Sequence, residues 1–393
     1  MIGKLSHRIT WTLVVCCLAA SVAADPYHPH IKTAQVVSLD VAAIERDANS
    51  GAPFELAFGD TRLTVALLPA PVWPEEGLTV LDVGADGAIK RRIVQGNVTY
   101  AGDVVGEDPE QSEVRFTITG GVVDGYVMSS TGWWFVEPLA RFDPKATPGQ
   151  HLVYAARDVD YAVDYGDDGS NMDEVTGWET PPPADPKWEI RIVMVGDQDY
   201  IFAPDPMPYE MRHTSLIHMI NGIYWGQTFR QFELRVSIGD FEDTFLTSTN
   251  PDKLLNEQLK LFVAFAAAVP PDPTATPTTM GLRGLNNFGA YMAHLTTAKD
   301  PDGDNEGLAN LFGRFAYSRQ EVGQDFKNKI LASHEIGHNF GGTHEAEVCP
   351  STQHMILCAS FIPNTLPVFS DGTLGPMKNN RKTIRDFMAV QGF

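Results

Sequence analysis

The residues best equipped for chemistry lie close together, between positions 334 and 344. His334-Glu335-Ile336-Gly337-His338 is followed by Gly341 and His344, which fills every fixed position of H-E-x-x-H-x-x-G-x-x-H. No proline interrupts Asn328 to Phe340, so a helix through Phe340 is predicted. Residues four apart on it share one face. His334 and His338 then aim two neutral imidazoles at one point, with the Glu335 carboxylate beside it. Gly341 permits a positive φ at the helix exit, and the turn brings His344 back as a third ligand. Three protein ligands with a fourth position open is the donor set of a catalytic rather than a structural Zn2+, and Glu335 is placed to act as general base. A bare H-E-x-x-H also arises by chance on ordinary amphipathic helices. The added glycine and third histidine fix two more positions and favour the metal.

These residues need a scaffold, and residues 188–393 read as α/β. Strands are predicted at Trp188–Val195, Phe232–Ile238 and Tyr291–Thr296, with helices at Tyr209–Phe229 and Pro251–Ala268. Gly307–Phe312 reads as an edge strand and Ala316–Ser318 as one more short strand before the histidine-bearing helix. An edge strand keeps unpaired backbone groups with which a peptide can pair. Lys378–Val390 reads as a short closing helix. Residues 25–157 are β-rich: Leu63–Leu68, Val114–Thr119 and Val122–Met128 are β-branched or aromatic runs. Asp86-Gly87, Gly120-Gly121 and Asp124-Gly125 read as hairpin turns. Residues 158–187 are acidic and end in Thr180-Pro181-Pro182-Pro183, the composition of an exposed linker.

Residues 1–24 have the layout of a secretory signal. Lys4 and Arg8 precede the apolar run Ile9–Ala20, and Val22-Ala23-Ala24 supplies small residues for cleavage. The expectation is an exported protein whose mature chain carries no membrane span, since no later segment is long and apolar enough. A net charge of −21 argues against nucleic acid and anionic membrane partners. Asp300-Pro301-Asp302-Gly303-Asp304-Asn305-Glu306 alternates carboxylates as a Ca2+ loop does, but Leu311 stands where the closing glutamate belongs. The Ca2+ motif is incomplete, and an acidic turn is the reading kept. His213, His218 and His294 have no ligand spacing to one another and are read as structural or surface residues.

The stretch HEIGHNFGGTH resembles the metzincin clan of zinc peptidases and, within it, the adamalysin or reprolysin family, with Glu345 in place of the usual aspartate. The resemblance covers about residues 188–393. It implies a twisted, mostly parallel sheet with an antiparallel edge strand along a cleft, preceded by a β-rich propeptide-like domain at 25–157. By the same resemblance Met355 forms the methionine turn beneath the metal. Gly307, Leu308 and Ala309 pair with substrate, and Ile362 and Pro363 wall a specificity pocket. The implied activity is a secreted zinc endopeptidase acting on proteins or peptides. Two readings stand beside it: a metzincin of another subfamily, and a catalytically weak adhesion or binding protein on the same scaffold. The sequence leaves the oligomeric state unassigned.

Of four cysteines, Cys16 and Cys17 leave with the signal, so Cys349 and Cys358 remain, nine residues apart on either side of Met355. In an oxidising compartment such a pair is most simply one disulfide. No cysteine lies between Asp25 and Val348, so latency through a propeptide thiolate is ruled out. Non-reducing peptide mapping should find Cys349 and Cys358 linked, and losing the link should cost roughly 2–4 kcal/mol of stability. Two alkylatable thiols in protein recovered from an oxidising compartment would contradict the assignment.

Overall fold

The computed structural model describes residues 29–109, 111–159, 163–164, 189–225, 231–266, 277–302, 306–310, 313–344 and 360–361. In chain order the first elements are β1 (Gln35–Ser38), α1 (Val41–Ser50), β2 (Phe54–Phe58), β3 (Thr61–Pro69), β4 (Leu78–Val83) and β5 (Ile89–Val94). Next come β6 (Thr99–Val104), β7 (Glu113–Thr119), β8 (Val122–Ser129), β9 (Gly132–Pro138), β10 (Gln150–Ala155) and β11 (Val163–Asp164). The second half holds β12 (Glu189–Gly196), α2 (Gln198–Ile201), α3 (Tyr209–Trp225), β13 (Gln231–Asp240), α4 (Pro251–Ala266) and α5 (Pro277–Asn287). It continues with β14 (Met292–Thr297), β15 (Gly307–Ala309), β16 (Phe315–Arg319), α6 (Asp325–Asn339) and β17 (Ser360–Phe361).

Two large sheets organise these elements. An antiparallel sheet of eight strands runs β1-β10-β9-β8-β7-β6-β3-β2. A mixed sheet of seven strands runs β15-β16-β14-β12-β13-β4-β5, antiparallel only in the two outer pairs. Helices α3 and α6 lie between the sheets, α4 and α5 cover the far face of the mixed sheet, and α1 packs on the far face of the antiparallel one. Asp40 caps α1 by accepting the Ala43 N–H, and Gly51 ends it in the left-handed region.

The layering explains a weak signal in the sequence. A surface helix shows one apolar stripe, but α3 is buried almost all round, so apolar and small polar residues share its faces. His213 bonds Ser237 at 2.6 Å and Thr296 at 2.7 Å on the mixed sheet. Five residues on, His218 contacts the Tyr100 carbonyl of the antiparallel sheet at 2.8 Å. His294 meets Ser318 at 2.7 Å. Burial lowers the pKa of His218 and His294 to about 3, and all three histidines are structural.

Two readings of the sequence need correction. Asp124-Gly125 is no turn but lies inside β8, where Gly125 has φ +152° and any Cβ would collide with the Arg115 carbonyl. The turn at Asp86-Gly87 does join a hairpin, β4–β5, but this hairpin belongs to the mixed sheet, paired parallel to β13 from Val236↔Thr79 to Asp240↔Val83. Helix α5 was not foreseen. The signal, the Pro-rich part of the linker and the closing helix lie outside the described residues.

Between the sheets a single guanidinium gathers four acids. Arg141, just after β9, lies 2.6 Å from Asp124, 2.7 Å from Asp205, 3.0 Å from Asp325 and 3.2 Å from Glu137. Ser215 on α3 donates to Asp124 at 2.5 Å, and Tyr154 donates to Glu137. Burial raises Asp325 well above the usual carboxylate range, and it raises Glu137 to about 7 with Arg141 opposing. Burial also acts on Asp124, but Arg141 outweighs it and leaves that group lowered. A carboxyl raised in the folded state binds its proton there more tightly than in the unfolded chain, so its contribution to stability falls as pH rises from about 4.5 to about 7. Urea midpoints should therefore decline more steeply between pH 5 and 8 in the wild type than in Glu137→Gln. Parallel declines would show that Glu137 does not titrate there.

Candidate metal centre

Helix α6 builds two thirds of the site. Its first turn has no side-chain cap of its own; instead the Glu137 carboxylate accepts the Asp325 N–H at 3.2 Å. All fifteen of its residues are buried, and the polar ones are held from both sides. Lys327 reaches Glu321 at 2.5 Å and Glu306 at 3.3 Å. Asn328 exchanges hydrogen bonds with the backbone of Glu321, and Tyr224 donates to the Ser333 carbonyl at 2.8 Å. At the exit Gly341 takes φ +88°, as its position in the motif predicts, and its N–H returns to the His338 carbonyl at 2.8 Å.

The turn brings the three imidazoles together. The Nε2 atoms of His334, His338 and His344 lie 3.0, 3.1 and 3.0 Å apart, and these three residues form a group able to hold a metal ion. The donor set fits Zn2+: three nitrogens at this separation can each reach one ion at about 2.0–2.1 Å. His338 faces the Gly342 carbonyl through Nδ1 at 2.7 Å, which puts the ring proton on Nδ1 and leaves the Nε2 lone pair free. Burial, aided by neighbouring His344, lowers the His338 pKa to about 3, so the ring is neutral at physiological pH.

Glu335 follows His334 on α6 and is buried. Gly307 of β15 packs directly on its carboxylate, and a Cβ built on Gly307 would overlap Glu335 Oε1. Leu308 instead turns to the core beneath α4 and α5, and Ala309 ends the strand half-buried. The backbone of β15 pairs with β16 on one side, and the sheet order places β15 at the edge, as the sequence suggested. Asn339 was overlooked in the sequence: its amide donates to the carbonyls of Asn310 at 2.9 Å and Phe315 at 3.1 Å. It therefore ties the edge hairpin to the end of the histidine helix. The only signal for it was its place directly after His338.

The described residues of the acidic turn have partners within the protein. Asp300 pairs with Arg319 at 2.9 Å, Glu306 with Arg319 at 3.0 Å, and Asp302 accepts from Thr249 at 2.8 Å. The histidine trio is the metal-competent group found among the described residues. Met355, Cys349, Cys358, Ile362 and Pro363 lie outside them. No helix among the described residues is long and apolar enough to cross a membrane.

Comparison with known proteins gives little. No protein-family model matches the chain, and no curated protein matches it either. Among solved structures it is similar to metalloproteinase-II from Bacteroides fragilis, at TM-score 0.44 and 10% identity over 86% of this chain and 94% of that one. A chaperone–substrate complex matches at TM-score 0.37 and 10% identity, over 83% of this chain and 48% of that one. Similarity this low carries no argument, so the site is judged on its own geometry.

Metal analysis should find one Zn2+ per wild-type chain. His338→Ala removes the central ligand and should abolish stoichiometric binding at equal protein concentration. Undiminished zinc in that variant would show that the ion binds elsewhere.

Proposed function

We propose that this protein is a zinc-dependent endopeptidase of the metzincin type, adamalysin- or reprolysin-like, exported from the cell. The observation that carries the reading is the convergence of three histidine Nε2 atoms within 3.1 Å, with Glu335 buried one residue after His334 on the same helix. When bound to His334, His338 and His344, zinc supplies Lewis-acid polarisation and a nucleophile at neutral pH.

The chain's own residues supply the rest. Glu335 takes a proton from the attacking water and passes it to the leaving amine. Gly307, having no side chain, lets that carboxylate lie directly against β15. β15 is the outer strand among the described residues, so its outer edge would offer N–H and C=O groups to an extended peptide, and Asn339 fixes the hairpin behind it. Met355 beneath the site, Ile362 and Pro363 at the pocket wall and a Cys349–Cys358 link belong to the same proposal.

Glu335→Ala should keep one zinc per chain and lose peptidase activity by about 10²–10⁴-fold. Hydrolysis of a quenched peptide library and metal content should be measured on the same preparation. Full activity with metal bound would remove Glu335 from the role; an inactive wild type with bound zinc would favour a binding protein on this scaffold.

A further inference from the structure

We propose that residues 31–159 are a permanent, non-dissociating half of the metal-site fold rather than a releasable propeptide. The surface they occupy on residues 189–344 is therefore an interface that does not open when the connecting chain is cut. Four contacts carry this, and none depends on the reaction.

The first contact is the mixed sheet itself. Hairpin β4–β5 continues it past β13 through backbone pairing, and Leu234 N–H and Phe241 N–H also donate to Val72 and Val83 carbonyls of the N-terminal half. The stretch of β13 so covered, Val236 to Asp240, carries one charge, and that one, Asp240, is buried and taken up by the N–H groups of Thr244, Phe245 and Leu246. Laid bare, it would be an edge without the protection that exposed edges need. β5 supplies that protection, with Lys90 and Arg91 exposed on the outer rim. Side chains reinforce the pairing: Tyr209 donates to Asp82 at 2.8 Å, and Arg92 meets Glu210 at 2.7 Å.

The second contact is α3. Ser215, His218 and Gly222 form one stripe along it, all facing the antiparallel sheet. At Gly222 the approach is so close that a methyl group would overlap the Tyr126 hydroxyl and the Glu113 carboxylate. The third contact is the Arg141 cluster, which joins β8 and β9 to the first turn of α6.

The fourth contact is Lys329, one helical turn and a residue before His334. It is fully buried on α6, and its Nζ has no hydrogen-bond acceptor among the described residues. The N-terminal half surrounds it with rings: Nζ lies 3.3 Å from the centroid of Tyr126, 4.4 Å from Trp133 and 5.9 Å from Phe135. Phe326, one turn earlier, packs edge-on against Trp133 and Phe135 at 5.8 and 5.3 Å. A lysine placed in an apolar seam of a detachable interface would hydrate the seam on every opening. Enclosed by the rings of Tyr126, Trp133 and Phe135, it ties the helix to the sheet by packing. The same continuous core holds Val80, Phe135 and Tyr154 from one half and Ile192, Ile217 and Ile330 from the other.

The test uses the full-length chain with a site-specific protease recognition sequence inserted between Gly177 and Trp178. After complete cutting, the two fragments should co-elute on size exclusion at nanomolar concentration and keep one zinc per pair. Separation of the fragments on the column would overturn the proposal. Gly222→Ala, far from the histidines in sequence, should shorten the lifetime of the cut complex by about tenfold or more, read as exchange with labelled N-terminal fragment. An unchanged lifetime would show that α3 is not the seam. Both readouts stand whether or not the protein cleaves peptides.

Discussion

A fifteen-residue helix buried on every side is the constraint that the rest of the structure satisfies. α6 carries Asp325, Lys327, Asn328, Lys329, Ser333, Glu335 and three-quarters of its length in polar or small residues, yet all of it is withdrawn from water. Burying such groups costs several kcal/mol each unless partners are supplied. The partners come from three directions. Glu137 and Arg141 meet the first turn, Glu306 and Glu321 meet Lys327, and the ring cage meets Lys329. Two sheets facing one helix layer are what make that many partners available.

The same arrangement shows why some of the site could be read in the sequence and some could not. The clustering of His334, His338 and His344 was legible because its geometry is local: a four-residue helical spacing, a glycine with positive φ and a short return turn suffice. Gly307–Ala309 at the edge was legible because strand periodicity and flanking turns are local too. The Arg141 cluster was not. Its members stand at positions 124, 137, 141, 205 and 325, and no spacing links an arginine to an aspartate 184 residues away. Lys329 was similarly hidden, since a lysine one turn into a helix normally reads as solvated.

The two corrected readings have separate physical origins. Hydrophobic alternation and an Asp-Gly turn identify a hairpin, but they do not say which sheet it joins. β4–β5 has the signature of its neighbours and yet crosses to the other sheet, so a boundary drawn by composition near residue 158 does not follow the hydrogen bonds. Asp124-Gly125 carries the composition of a turn for a different reason. The aspartate is recruited by Arg141, and the glycine lets β7 and β8 approach without a Cβ between them.

The histidine helix also sets the reach of the edge strand. β15 is only three residues long, too short to hold its own position by pairing with β16 alone. Glu306, immediately before it, is gripped by Lys327 of α6 and by Arg319. The hairpin beyond it, at Asn310 and Phe315, is gripped by Asn339 at the other end of the same helix. Between these two anchors Gly307 rests on Glu335. Under the proposed function, a peptide backbone aligned by β15 would be registered against the same rigid rod that carries Glu335, His334 and His338. Any shift of the helix would move the strand and Glu335 together, so under the proposed function the distance between a bound backbone and that carboxylate would be preserved. Positioning of this kind on one element is worth more to a reaction than extra contacts on independent loops, because misplacement by about 1 Å costs on the order of 10²-fold in rate.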